Sequence, residues 1–382
     1  MTVVGGWQPP AYPYDRLVPL RAAADALPGG VVDLSVGTPT DPPPAVVLQV
    51  LADADRGSSL RGYPPAVGTE VLRTAASSWV TSTFGSSAFV EPDQIGACIG
   101  TKEFVVTMPG WLKLRRPGRD TVLYPAVSYP SYAMGAELAG LRAVPVPVDD
   151  AWRIDLSSIS SEDAARALVL WVNTPGNPAG GLDDLAAAAA WGRDRDVMVF
   201  SDECYAEFTW EGAPRTILGL GGGPDGTDGV VALHSLSKRS NLAGLRVGWY
   251  SGDPEVVGYL REVRKHAGLM VPGPAQRAGA AALGDASHVL TQRVLYRDRL
   301  ERMRAILAEG IGLEVTLPRG GFYLWAEAPG GDAWGLAERL ATQAGALVSP
   351  GDFYGSAGSA YVRLAMVVPM ARLEVLAERL GC

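Results

Sequence analysis

Between residues 121 and 250 the chain repeats one pattern: a short run that is apolar at nearly every position, followed by a cluster of small and polar residues. The runs are TVLY (121–124), ALVLWV (167–172), VMVF (197–200), GVVAL (229–233) and RVGWY (246–250). Runs of this length with both faces apolar predict buried parallel strands. Between the second and third lies LDDLAAAAAWGRDRD, which predicts a helix with acids at its start and arginines near its end, in keeping with the macrodipole. Strand, helix and strand make a βαβ unit.

The pattern changes after residue 253. Charged, helix-periodic segments, REVRK and RDRLERMRAILAEG, flank a break at VPGP. Then EVTLPRGGFYLWAEAP predicts two strands across a Pro/Gly turn, followed by a helix near 332–344, the short run ALVSP, a strand YVRLAMV and a closing helix MARLEVLAERL. The first forty residues, rich in proline and glycine, hold one strand-like piece, VVDLSVG, and predict an arm without a core of its own. The expected fold is α/β: a large domain with a mostly parallel sheet flanked by helices, plus a smaller α+β domain. The expected division is an arm with part of the small domain (1–41), a large domain (42–272) and a small C-terminal domain (273–382).

Composition narrows the function. A chain of 382 residues, 47% apolar, supports more than one core. A net charge of −8 and a pI near 5.1 argue against a nucleic-acid surface. Three widely spaced cysteines suggest neither a disulfide framework nor a zinc knot, and three histidines (His234, His266, His288) lack ligand spacing. The opening MTVVGGWQPPAYPYDRL lacks a charged-then-apolar leader, and no apolar run approaches membrane length, so a soluble, cytoplasmic protein is expected. Gly221, Gly223 and Gly226 fit G-x-G-x-x-G, but the run precedes a strand instead of opening a helix. It reads as a loop, not as a dinucleotide site.

Open α/β sheets gather ligands at the carboxyl ends of their strands. Polar clusters fall there five times: GTKE (100–103), SYPSY (128–132), NTPGNPAG (173–180), SDECY (201–205) and HSLSK (234–238). Burial at the end of GVVAL would lower the pKa of Lys238 and free its amine to form a Schiff base with an aldehyde; alone, it reads equally as a surface lysine. Asp202 beside the same site needs a cationic partner such as a pyridinium nitrogen, worth about 1.5–3 kcal/mol, or else it caps a helix. Tyr205 and Asn177 can donate to a phenolate oxygen, although Asn177 alone is a turn former. Gly100, Thr101 and Lys102 open a helix whose free N–H groups suit a phosphate, and Ser235, Ser237 and Arg246 could complete the cup. Tyr129 could stack on a flat ring or sit in the core. Arg363, inside YVRLAMV, needs an anion, either a substrate carboxylate or a buried structural partner.

With these residues the chain resembles fold-type I pyridoxal-phosphate enzymes of the class I/II aminotransferase family. The resemblance runs from DLSVGTPTDPP through YVRLAM. It implies pyridoxal 5′-phosphate as cofactor, with pyridoxamine 5′-phosphate as its intermediate form, and an amino group moved between an amino acid and a 2-oxo acid. By position, it puts the cofactor-bearing lysine at Lys238, the ring-nitrogen acid at Asp202 and the ring-oxygen partners at Tyr205 and Asn177. The stacking aromatic falls on Tyr129 and the carboxylate arginine on Arg363. The phosphate ligands fall on Thr101, Lys102, Ser235, Ser237 and Arg246, with Gly100 at the same helix start. Gly37 resembles a backbone contact to the substrate carboxylate. Tyr63, in GYPPAVG, matches a tyrosine that reaches the phosphate of a neighbouring subunit, which implies a homodimer with shared sites.

AYPYDRL, DLSVGTPTDPPP and HSLSKRSNLAGLRVG are further similar to actinobacterial-type N-succinyl-diaminopimelate aminotransferases of lysine and cell-wall biosynthesis. NPAGG departs from the commoner NP(S/T)G and loses a hydroxyl at Ala179. Aspartate, aromatic or other aminotransferases of the class, and lyases or decarboxylases on the same scaffold, stay open. A non-enzymatic pyridoxal-phosphate regulator would carry a DNA-reading domain, for which the short amino-terminal arm has no basic helix-turn-helix. An acidic distal group on the substrate would need a second cation, with Arg16, Arg21 and Lys102 as candidates.

Overall fold

In the computed structural model, which describes residues 7–54 and 60–382, the five apolar runs become strands buried at every position but Tyr124. The strands are β1 (Val32–Asp33), β2 (Ile95–Cys98), β3 (Thr121–Pro125), β4 (Arg142–Val146), β5 (Ala167–Asn173) and β6 (Met198–Asp202). They continue with β7 (Val230–Ser235), β8 (Gly248–Gly252), β9 (Tyr323–Glu327), β10 (Ala346–Leu347), β11 (Ser349–Pro350) and β12 (Tyr361–Ala365). Seven of them form one sheet in the order β2-β8-β7-β6-β5-β3-β4. Alternate residues feed two cores: Leu170, Val172, Val199 and Ala232 face one layer, and Trp171, Phe200, Val231 and Leu233 the other. Helices therefore cover both faces, which is why these strands carry no polar alternation.

Two expectations about this sheet are corrected. RVGWY yields β8, but it runs antiparallel to both β2 and β7. An all-apolar run reports burial on two faces and says nothing about strand direction. β4 was not expected, because Arg142 and Pro145 interrupt its apolar pattern; it lies at the sheet edge, where its residues are only partly covered. The alanine-rich helix forms at Leu185–Arg195, capped by Asp184, whose side chain accepts from Ala187 N at 3.0 Å.

A second core joins Val32 and Leu34 of the arm to Leu300, Leu324, Leu364 and Leu376 from beyond residue 284, around the sheet β11-β12-β9 and the parallel pair β1-β10. The closing helix spans Met370–Leu380. EVTL is not a strand; of the two expected across the Pro/Gly turn, only β9 forms. The helix Gly273–Leu283 starts past residue 272, yet its Ala275, Ala278 and Ala282 pack with Leu72 and Ala76 of the large-sheet core. The arm carries a short turn, Pro13–Leu17, and a helix, Val18–Asp25, that the proline and glycine content had masked. Its first six residues, which belong to the opening stretch read above, lie outside the described residues. The Gly221–Gly226 run closes on itself through Gly221 N to Gly226 O at 2.6 Å, ahead of β7. Among the described residues no helix is long and apolar enough to cross a membrane.

Candidate active site

The carboxyl ends of β5, β6 and β7 lie side by side, with Asn173 in register with Asp202 and Asp202 with Leu233. They open onto a cavity of about 290 Å³. Lys238 reaches this cavity because β7 ends in the short helix Leu236–Arg239, whose first N–H groups are capped when Ser235 Oγ accepts from Ser237 N at 3.1 Å. The half-buried ammonium donates to the carbonyl of Gly37. Burial draws its pKa from 10.5 to about 8, against the pull of Cys204, and the Arg363 and Arg246 charges push it the same way. A side chain at Gly37 would collide with the Tyr323 hydroxyl, so the chain passes close to the lysine only without a Cβ.

Asp202 is 7% exposed and caps no helix. Its Oδ2 accepts from Tyr132 Oη at 2.9 Å and its Oδ1 from Cys204 N at 3.2 Å. Burial raises its pKa in spite of those bonds. Tyr132 is fully buried and stacks on Trp171, with ring centroids 5.1 Å apart. Asn173 joins the cluster by donating to the Asp202 carbonyl at 2.8 Å and accepting from Asn177 N at 2.8 Å.

Beside this cluster the helix Thr101–Arg115 brings its N-terminus, which has no side-chain cap, to the cavity. Gly100, the N-cap residue with φ 74°, leaves room for the Arg246 guanidinium, with which any Cβ would collide. Arg246 donates to Ala243 O at 2.9 Å and Ile99 O at 3.3 Å. Lys102 lies 5.8 Å from the Tyr129 ring centroid. Thr101 Oγ1 sits 3.3 Å from Cys204 Sγ.

Arg363 projects from β12 into the same space. Four arginines are buried among the described residues, and three have a carboxylate: Arg264 with Glu103 (2.7 and 2.9 Å), Arg299 with Asp41 (2.6 and 2.7 Å) and Arg239 with Glu207. Arg363, 3% exposed, has none. It donates to Asn177 Oδ1 at 2.9 Å, to the Ser35 carbonyl and, at 3.4 Å, to Tyr14 Oη, and its Nε is buried without any partner. The structural ion pair left open by the sequence is therefore not formed among the described residues.

The profile of the family described as aminotransferase class I and II matches residues 29–380. The chain belongs to that family. Among proteins similar to this aminotransferase is the 4-dedimethylamino-4-oxo-anhydrotetracycline transaminase OxyQ of Streptomyces rimosus, 41% identical, covering 97% of this chain and 99% of its own. An LL-diaminopimelate aminotransferase of Desulforudis audaxviator is 32% identical over 98% of this chain and 95% of its own. Among solved structures, a probable N-succinyldiaminopimelate aminotransferase from Thermus thermophilus superposes with a TM-score of 0.84 at 29% identity, covering 97% of this chain and 99% of that one. The α/β architecture expected from the sequence is the one this family shares.

The aminotransferase cavity brings together most of the residues singled out from the sequence. Lys238, Asp202, Tyr205, Asn177 and Tyr129 line it, as do Thr101, Lys102, Ser235, Ser237 and Arg246, and Gly37 and Arg363. Gly100 stands directly behind Arg246. Tyr63 stands apart, 95% exposed and not among the cavity residues. Two of the three candidate distal cations are engaged outside the cavity: Arg16 pairs with Asp352 at 2.8 Å and lies 4.4 Å from the Trp334 ring centroid, and Arg21 pairs with Asp33. Ala179 packs in the cluster of Trp152 and Trp325.

Sequence reasoning missed Tyr132, Asn173, Tyr323 and Tyr14. Tyr132 sits in SYPSY three residues after Tyr129, one helical turn further on, and that spacing was its only signal. Tyr323 meets Tyr205 hydroxyl to hydroxyl at 2.9 Å, and Tyr14 meets Tyr354 at 3.2 Å, contacts that no local pattern announces.

Proposed function

We propose that this aminotransferase uses pyridoxal 5′-phosphate to move an amino group between an amino acid and a 2-oxo acid. The observation that carries the proposal is one cavity holding a buried carboxylate, a buried guanidinium and a lysine amine, with neither Asp202 nor Arg363 in an ion pair among the described residues. Buried charges require partners. A ligand with a cationic ring nitrogen, a dianionic phosphate and an accompanying carboxylate supplies all of them.

The residues fit that group. Arg246, Lys102, Thr101, Ser235 and Ser237, with the N–H groups opening the helix Thr101–Arg115, would hold the phosphate. Asp202 would face the ring nitrogen, whose positive charge offsets the cost of ionising a buried carboxylate. Tyr129 would cover one ring face, and Asn177 and Tyr205 would donate to the ring oxygen. Because Asn177 Oδ1 already accepts from Arg363, its amide hydrogens remain to donate. When bound, the cofactor supplies an aldehyde and a protonated ring that takes up the electron pair left on the substrate α-carbon.

The chain's own groups supply the rest. Arg363 grips the substrate carboxylate in bidentate fashion and orients the α-carbon. Lys238 Nζ takes the α-proton and returns it later, and burial, which lowers its pKa to about 8, favours the neutral amine that this needs. Tyr132 holds the Asp202 carboxylate in place. Tyr63 reaching the phosphate of a second copy, and hence a homodimer with shared sites, belongs to the same proposal, as does a cytoplasmic location. The exposure of Tyr63 supports the dimer.

N-Succinyl-LL-2,6-diaminopimelate with 2-oxoglutarate, in lysine biosynthesis, is a second reading of the substrate, favoured by the Thermus neighbour and the diaminopimelate relative. It requires a cation for the distal carboxylates, and of the three candidates only Lys102 is in the cavity. The test is a half-reaction: purified protein loaded with pyridoxal phosphate should convert it to pyridoxamine phosphate on addition of an amino acid, releasing the 2-oxo acid. Release of carbon dioxide or ammonia with the cofactor unchanged would indicate lyase or decarboxylase chemistry instead.

A further inference from the structure

The charged groups that this chain itself brings to the cavity are all spoken for. Asp202, Lys238 and Arg246 serve the cofactor, Arg363 the carboxylate, and Lys102 lies at the phosphate end beside Thr101 and Tyr129. What remains is a wall of rings. Tyr12 and Tyr14 come from the arm, and Phe353 and Tyr354 from the turn Gly351–Tyr354. The Tyr14 and Phe353 rings meet edge to face at 5.4 Å, and the Tyr12 and Tyr14 rings lie 5.5 Å apart.

The wall is fastened from outside. Arg16, two residues after Tyr14, pairs with Asp352 and stacks its guanidinium over Trp334 and Phe353, at 4.4 and 5.6 Å from the ring centroids. The cation that the sequence offered for an acidic substrate thus ties the arm to the turn. Tyr14 Oη in turn lies 3.4 Å from Arg363 Nη2, so the aromatic wall begins where the carboxylate grip ends.

The geometry points to this cleft between Tyr12, Tyr14, Phe353 and Tyr354 as the seat of the amino compound's side group, which is flat, uncharged and ring-bearing. The inference rests on the proposed transamination, because it takes Arg363 as the carboxylate anchor from which the side group extends. A carboxylate in the cleft would leave water for ring carbon with no cation of this chain beside it in the cavity except Arg363, which the α-carboxylate takes. An aromatic side group gains area burial and edge-to-face contacts instead.

The holoenzyme, followed by its cofactor absorbance, decides the matter with five donors: L-phenylalanine, L-tryptophan, L-aspartate, L-glutamate and N-succinyl-LL-2,6-diaminopimelate, with L-alanine as the donor that lacks a side group to seat. Phenylalanine and tryptophan should exceed the acidic donors in kcat/KM by at least about tenfold. Tyr12→Ala, at a position already 56% exposed, should raise KM for phenylalanine by roughly five- to tenfold, with a smaller rise for alanine and little change in kcat. Preference for the acidic donors, or an equal loss on every donor in the variant, overturns the cleft and leaves transamination standing. No half-reaction with any donor, alanine included, overturns the proposed function instead. In that event calorimetry of the holoprotein still tests the cleft: it predicts tighter binding of 3-phenylpropanoate than of glutarate, and the reverse order refutes it.

Discussion

The two ends of the cavity are built from different parts of the chain. At the end proposed to hold the cofactor, Asn173, Asp202 and Ser235 are the last residues of three neighbouring strands, held by backbone pairing and by the buried Tyr132. At the far end, Tyr14 and Tyr354 are brought together across 340 residues of sequence by an arm and a turn fastened by a surface arginine. The first end is rigid and charged, as electrostatic preorganisation requires. The second is aromatic and carried on short segments that can vary without disturbing the sheet. On the proposed reading, reaction chemistry and substrate choice reside in separable pieces of the fold.

The largest effects should come from breaking the cofactor end. Lys238→Ala removes the amine proposed to carry the cofactor and move the α-proton, and should lower turnover by at least about 10²–10⁴-fold in half-reaction kinetics. Asp202→Asn takes away the ionic partner of the ring nitrogen; a loss of about 1.5–3 kcal/mol, or roughly 10- to 150-fold in kcat/KM, is expected. Arg363→Lys replaces a planar fork by a point charge and should act mainly through KM, which separates carboxylate binding from chemistry. Tyr132→Phe deletes one buried hydrogen bond and should cost about 1 kcal/mol, read as a several-fold loss of kcat with pyridoxal phosphate still bound.

A pH experiment sharpens the contrast further. The neutral amine of Lys238 is the nucleophile, so in cofactor-free protein its reaction rate with pyridoxal phosphate should rise as pH climbs through about 8, not 10.5. At the distal end the smallest change is expected of Arg16→Ala. It breaks a half-exposed pair worth about 1 kcal/mol or less, and should loosen the arm and weaken aromatic donors without altering cofactor uptake.

The cofactor end was largely legible because its residues follow apolar runs directly. The runs announce buried strands, and polar residues at the ends of several neighbouring strands of one sheet converge on one place. Lys238, Asp202 and Arg363 stood out because each places a charge against apolar sequence. The direction of β8 was not legible, since pairing direction leaves no trace in a run buried on both faces. β4 was missed because an edge strand tolerates Arg142 and Pro145. Tyr132 was passed over for Tyr129, although both lie in SYPSY; only the fold shows which one reaches Asp202. Arg16 shows the limit most clearly. A cation near a predicted site can serve a substrate or a neighbouring acid, and Asp352 lies 336 residues away in sequence.

The central claim is a covalent bond between one amine and the aldehyde of pyridoxal phosphate, and the most direct measurement is borohydride reduction of the loaded protein followed by peptide mass mapping. The account predicts a single pyridoxyl label on Lys238, lost in Lys238→Ala. A label on any other lysine, or none on protein that has taken up the cofactor, would contradict it.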